Sequence, residues 1–180
     1  MTARKIRVAV AQPTTVLGDL SGNVAAHAAA VKRAAGGIRV LAVSGDGVAL
    51  AYLKMSLGQE EARHFDAGHA PACIEVRGRR VGIGVCKDTR IEHHLDRTAA
   101  LGIDLYVAGL VHAPDELAEL DTRAQRIATA YDLPVAFAGF AGPTGGGYAQ
   151  TCGGSGVWDS TGTVVVQLGP EPGTVASVEL

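Results

Sequence analysis

Ten strand-like runs recur along the chain, and in several the apolar residues occupy consecutive positions instead of alternate ones. VGIGVC (81–86), DLYVAGL (104–110) and PVAFAGF (134–140) are of this kind. A strand apolar on both sides must be covered on both sides, so these runs demand a layered α/β architecture. The remaining runs are KIRVAVA, IRVLAV, GVALAYL, ACIEV, SGVWD, TVVVQL and TVASVEL.

Three helical patterns lie between them. GNVAAHAAAVKRAA follows Ser21 as its cap and stops at Gly36-Gly37. RIEHHLDRTAAL sets Ile91, Leu95 and Thr98 on one face and ends before Gly102. In the third, Pro114 suits a first helical position and Asp115 and Glu116 favour the positive end of the helix dipole. Leu117, Leu120, Ala124, Ile127 and Tyr131 then form one stripe. The turns SGDG (44–47), RGRR (77–80) and DSTG (159–162) read as hairpins. Gly145-Gly146-Gly147 and Gly153-Gly154 belong to a Gly-rich connection, and GPEPGTVASVEL reads as a turn and a strand.

The 180 residues suffice for one domain, 1–180. A net charge of -2 and a pI near 6.3 give no global basic field, which argues against nucleic acid and acidic membranes as partners. MTARKIRVAVAQ has only a strand's length of apolar residues, short of a signal peptide, and no stretch is long enough to span a bilayer. Cys73, Cys86 and Cys152 are scattered, with no CxxC pair. The expectation is therefore neither disulfides nor zinc, and a cytoplasmic location.

Cys86 ends an apolar run, and Lys87, Asp88 and Thr89 begin a polar strand-to-helix turn. Catalytic groups of α/β folds gather at the carboxyl ends of strands, so nucleophile and buried packing residue are about equally weighted here. Cys73 alternates with Ile74 and Val76 in a hairpin strand, and Cys152 sits in the Gly-rich loop; both read as packing residues. Lys54 also ends an apolar strand. Such a lysine is ordinarily solvated, but beside a thiol it would favour thiolate and could donate to an oxyanion. His93 and His94 cannot face one way from a helix, and His64 and His69 lack a third ligand, so no metal is expected. The glycine-rich TGGGY and TCGGSG lack the ending of a phosphate loop.

Taken in order, these segments resemble the nitrilase superfamily, the carbon–nitrogen hydrolases. IRVAVAQPTTVLGDLSGNVAAHAAAVKRAA is similar to that family's opening strand, G-D loop and first helix. LAYLKMSLGQEEARHFDAG is similar to its lysine segment and following Glu-containing loop. GRRVGIGVCKDTR is similar to its nucleophile strand, G-x-x-I-C-x-D-x-R, ALGIDLYVAGL to the strand after it, and GGSGVWDSTGTVV to its closing G-G-S hairpin. The resemblance implies a shortened α-β-β-α sandwich, a homodimer, no cofactor, and a small amide or carbamoyl substrate. It further implies Cys86 as nucleophile, with Lys54 and the backbone N–H of Lys87 stabilising the oxyanion. Glu61 becomes the supporting glutamate, with Glu60 the alternative if the loop slips by one.

One family feature is missing. The general-base glutamate belongs to an F-P-E motif after the first helix, whereas here Gly36-Gly37 lead straight into IRVLAVSGDGVALAYLK. Asp46 is the nearest carboxylate there, but it sits in the hairpin turn as a turn former. The pattern implies an internal deletion near 36–38. Loss of a positioned base costs about 10²–10⁴ in rate. The expectation is an impaired hydrolase or, alternatively, a silent paralogue that binds a metabolite or partner; a base role for another carboxylate such as Glu60 is a third reading.

Overall fold

The computed structural model describes residues 7–11, 36–44, 47–144 and 148–180. The helical pattern at 22–35, the turn residue Asp46 and the glycines 145–147 lie outside them.

All ten strand-like runs form strands: β1 Arg7–Ala11, β2 Arg39–Ser44, β3 Gly47–Leu53, β4 Ala72–Val76, β5 Arg79–Val85, β6 Leu105–Leu110, β7 Val135–Gly139, β8 Gly156–Trp158, β9 Val164–Gln167 and β10 Val175–Glu179. The two described helices are α1 (Glu92–Ala99) and α2 (Leu117–Tyr131). Pro114–Glu116, expected as the first turn of α2, is a separate 3-10 turn leading into it.

Strands β4 to β9 make one sheet in sequence order, with β5, β6 and β7 parallel and the outer pairings antiparallel. The parallel crossovers carry α1 and α2 to one face. There Tyr106, Leu110, Val135 and Phe137 pack with Leu95, Leu120, Ala124 and Ile127. The alternate strand residues Val81, Leu105, Ala136 and Val157 point the other way, against Val8 and Val10 of β1 and partly buried residues of β10. Adjacent residues thus serve opposite cores, which is why apolar side chains fill consecutive positions.

β1 and β10 pair antiparallel although they lie far apart in the chain, and β2 and β3 form a separate antiparallel ribbon. On that ribbon Val43, Val48 and Leu50 are exposed. At the β4–β5 hairpin, Arg77 and Gly78 both have positive φ, the requirement of a tight two-residue turn. Gly139 has a different reason to lack a side chain: a Cβ there would overlap the Gly153 carbonyl. Its N–H instead donates to Ser155 Oγ at 2.9 Å, joining β7 to the G-G-S segment. Among the described residues, no helix is long and apolar enough to cross a membrane.

Candidate active site

The carboxyl ends of β5, β6 and β7 open on a cavity of about 890 Å³, lined by Cys86, Lys54 and Glu61 and otherwise mostly by strand residues such as Ile83, Val107, Ala136 and Ala138. This is the end of a parallel sheet where ligands are usually bound.

β5 ends at Val85, and the chain turns at once into a 3-10 turn, Cys86–Arg90. Cys86 makes that turn with φ +46°, in the left-handed region. For a residue with a Cβ this costs about 1–2 kcal/mol, so the surrounding bonds must hold it. The Thr89 hydroxyl donates to the Cys86 carbonyl at 2.7 Å, and Val85 N–H donates to Asp88 Oδ2 at 3.0 Å. Cys86 is half-buried and packs on the helix-side core while also lining the cavity. Lys87 N–H lies in the first residues of the turn, where N–H groups have no partner within the turn itself. The Lys87 side chain leaves the site and donates to the Leu57 carbonyl at 2.6 Å.

Lys54 follows β3 and is 2% exposed, unlike an ordinary strand-end lysine. Its N–H donates to the Ile38 carbonyl and its carbonyl accepts from Gly68 N–H, both at 2.8 Å. Its Nζ donates to both oxygens of Glu61, at 2.6 and 2.7 Å, and Gly58 N–H adds a bond of 2.6 Å to Oε2. Partial burial pushes the Glu61 carboxyl up, but Gly58 N–H and Lys54 outweigh it and hold it below the ordinary glutamate value. Glu60 instead points to solvent and pairs with Arg63. Loop register therefore brings Glu61, not Glu60, to the lysine, and Glu61 is the one carboxylate among the described residues that lines the cavity.

Behind the turn is a buried polar cluster that sequence reasoning missed. Asp88 accepts from Tyr52 Oη at 2.9 Å, and Tyr52 lies 3.3 Å from His94 Nδ1. His94 Nε2 lies 3.2 Å from Tyr106 Oη. Burial pushes His94 below the ordinary imidazole value. The signal was present: Tyr52 shares a strand face with Lys54, and Asp88 belongs to the C-x-D motif. A second group surrounds Thr89. Arg123, buried on α2, donates to Thr89 Oγ1 at 3.4 Å, to His112 Nε2 at 3.0 Å and to Glu119 at 2.6 Å. His112 therefore carries its proton on Nδ1, which has no partner among the described residues. Burial, with help from Arg123, lowers its pKa.

Cys152 is buried, which raises its thiol pKa, and Cys73 lies near Arg80 Nη2 on β4. His93 is exposed. No group of three or more potential metal ligands occurs among the described residues.

No family model matches the chain, and no curated protein matches it by sequence. Solved structures do. An amidase from Nesterenkonia sp., a variant carrying the acetamide moiety of fluoroacetamide covalently on its active-site cysteine, is 28% identical over 74% of this chain and 54% of that one, with a TM-score of 0.64. A CN-hydrolase superfamily protein from Xanthomonas campestris, with an arsenic adduct in its active site, is 18% identical over 99% of this chain and 91% of that one, at a TM-score of 0.73. A glutamine-dependent NAD+ synthetase from Acinetobacter baumannii reaches a TM-score of 0.75 at 14% identity, covering 98% of this chain and 45% of that one. The chain thus spans about half the length of the first and third of these relatives.

Proposed function

We propose that this chain, which shares its fold with carbon–nitrogen hydrolases of the nitrilase superfamily, hydrolyses a small amide or carbamoyl compound through a thioester on Cys86. The observation that carries this reading is a cysteine in a left-handed turn opening on the same cavity as a buried lysine–glutamate pair.

The Cys86 sulfur attacks the amide carbon, and the displaced electron pair collects on the carbonyl oxygen. Lys54 Nζ and Lys87 N–H stabilise that oxyanion. Collapse expels the nitrogen, which takes the thiol proton and leaves as ammonia or an amine. Water then cleaves the thioester, giving the acid and restoring the thiol. Glu61 holds the lysine charged and aimed; tied to Lys54 and Gly58 N–H, its carboxylate is a poor proton acceptor. The F-P-E glutamate is absent from the sequence, so turnover is slow by roughly 10²–10⁴ relative to a chain with a positioned base. That absence also favours the second reading, a silent relative that binds an amide without cleaving it. A homodimer, and a single domain lacking an internal stretch near 36–38, belong to the same proposal.

Incubation with acetamide or butyramide, followed by intact mass, tests it. A transient adduct of acyl mass on Cys86, with ammonia and the free acid released in equal amounts, supports hydrolysis. Binding without adduct or ammonia supports the silent relative.

A further inference from the structure

We infer that Asp88 is a positioning residue, whose carboxylate ties the backbone of the nucleophile turn to the backbone of the lysine arm and so sets Cys86 against Lys54. This rests on the reading of Cys86 and Lys54 given above.

Asp88 is fully buried, and no ion pair among the described residues includes it. A carboxylate is costly to bury unless its oxygens are hydrogen-bonded. Here three donors meet it. Val85 N–H, one residue before the nucleophile, reaches Oδ2 at 3.0 Å. Ser56 N–H, two residues after the lysine, reaches Oδ1 at 2.8 Å. Tyr52 Oη, two residues before the lysine, reaches Oδ2 at 2.9 Å. One side chain therefore brackets Lys54 from both sides and grips the strand end at Cys86, across 32 to 36 residues of sequence.

The bonds behind it fix their own direction. Tyr52 has one hydroxyl proton, and the shorter bond gives it to Asp88. Met55 N–H donates to the Tyr52 oxygen at 3.0 Å, and the His94 contact then needs Nδ1–H as the donor. A neutral His94 with that tautomer accepts at Nε2 from Tyr106 Oη. Protons thus run Tyr106 to His94 to Tyr52 to Asp88, with the acceptor-only carboxylate as the terminus. Gly84 makes room for this chain: a Cβ there would collide with the Tyr106 hydroxyl. A carboxyl used only to fill space would not need directional donors from both arms.

The test is a double-mutant cycle on the full chain, read as the rate of Cys86 alkylation by iodoacetamide near neutral pH. If Asp88 acts by placing Lys54 beside Cys86, Lys54→Ala and Asp88→Asn each slow alkylation about tenfold, because the cation that favours the thiolate is removed or displaced. The double variant is then no slower than the slower single one, because the effect of Asp88 passes through the lysine. Factors that multiply to about a hundredfold overturn the inference. So does an Asp88→Asn or Lys54→Ala rate equal to the parent's. Should Asp88→Asn not fold, Tyr52→Phe replaces it, removing one donor and keeping the carboxylate. Its slowing, between about threefold and tenfold because the carboxylate loses one charge-assisted bond and keeps its two backbone donors, must likewise vanish in the Lys54→Ala background, and persistence or absence of that slowing overturns the inference. Turnover plays no part in this readout. A non-additive cycle without ammonia release would leave the placement standing and sink the hydrolase reading; ammonia release with an additive cycle would do the reverse.

Discussion

Glu61 grips Lys54 with both carboxylate oxygens, at 2.6 and 2.7 Å, yet the two partners sit in different surroundings: the lysine side chain is 2% exposed and the glutamate 34%. That asymmetry makes the two halves of the pair unequal. Glu61→Gln leaves an ammonium in a dry site without its counter-charge, while Lys54→Met leaves a carboxylate that water can still reach. Glu61→Gln is therefore expected to cost about 1–3 kcal/mol, below the usual 3–5 for a fully buried pair because Glu61 is partly solvated. Lys54→Met should cost less. Denaturant midpoints of the two variants check the order.

The pH dependence follows from the same groups and from two histidines. Burial lowers the pKa of His94 and of His112 below 6.5, so the unfolded chain binds these protons first. Their contribution to stability is complete above about pH 6.5 and is lost as pH falls through the lowered folded values. Glu61, also depressed, adds a second loss that begins below about pH 4.5. Melting temperature should therefore hold steady above pH 7 and decline in two stages on acidification. His94→Gln should make the first stage shallower, leaving the share of His112, and Glu61→Gln should do the same to the second, leaving those of Glu119 and Asp159; thermal melts across the range read both.

The strands and the site are legible to different depths. Consecutive apolar positions in 81–86, 104–110 and 134–140 revealed strands covered on both sides, because each residue's own side chain records which core it faces. The pairing of β1 with β10 left no such mark, since an antiparallel register between distant segments depends on the whole chain closing. That Cys86, Lys54 and Glu61 come together on one cavity was foreshadowed by motif order. The burial of Asp88, His94 and Arg123 was not: all three are polar types that are mostly exposed in folded proteins, and only tertiary partners make their burial tolerable. Arg123, at the border of the apolar stripe of α2, is held inside by Glu119 and His112.

Two glycines at neighbouring strand positions should respond oppositely to a methyl group. Gly109 pairs with Ala138 and Gly139 with Leu110 across the β6–β7 ladder. A Cβ on Gly109 meets nothing within 4 Å, whereas one on Gly139 overlaps the Gly153 carbonyl. Gly109→Ala should change stability by no more than about 0.5 kcal/mol. Gly139→Ala should cost at least 2 to 3 kcal/mol, roughly the upper range for overpacking, because the obstacle is backbone and cannot rotate away. Paired denaturant curves decide it, and equal costs would mean the β7 to G-G-S contact is looser than 2.9 Å implies.

The left-handed turn at Cys86 makes the last prediction, and it separates strain from chemistry. With φ at +46°, any side chain at position 86 bears the steric cost of that region, and glycine does not. Cys86→Ala and Cys86→Gly both remove the sulfur, so both should abolish covalent labelling there. In stability they should part. Alanine keeps the Cβ and the strain, while glycine releases it at the expense of a more flexible unfolded chain. The net difference should favour glycine by about 1 kcal/mol, measured as the gap between the two denaturant midpoints at equal slope. The Thr89 hydroxyl, which donates to the Cys86 carbonyl at 2.7 Å, should matter less once the strain is gone. Thr89→Val is thus expected to cost less in the Cys86→Gly background than in the parent. A glycine variant no more stable than the alanine one would mean that position 86 relaxes to negative φ in solution, and the turn would then be built by its sequence neighbours instead of being imposed on the cysteine.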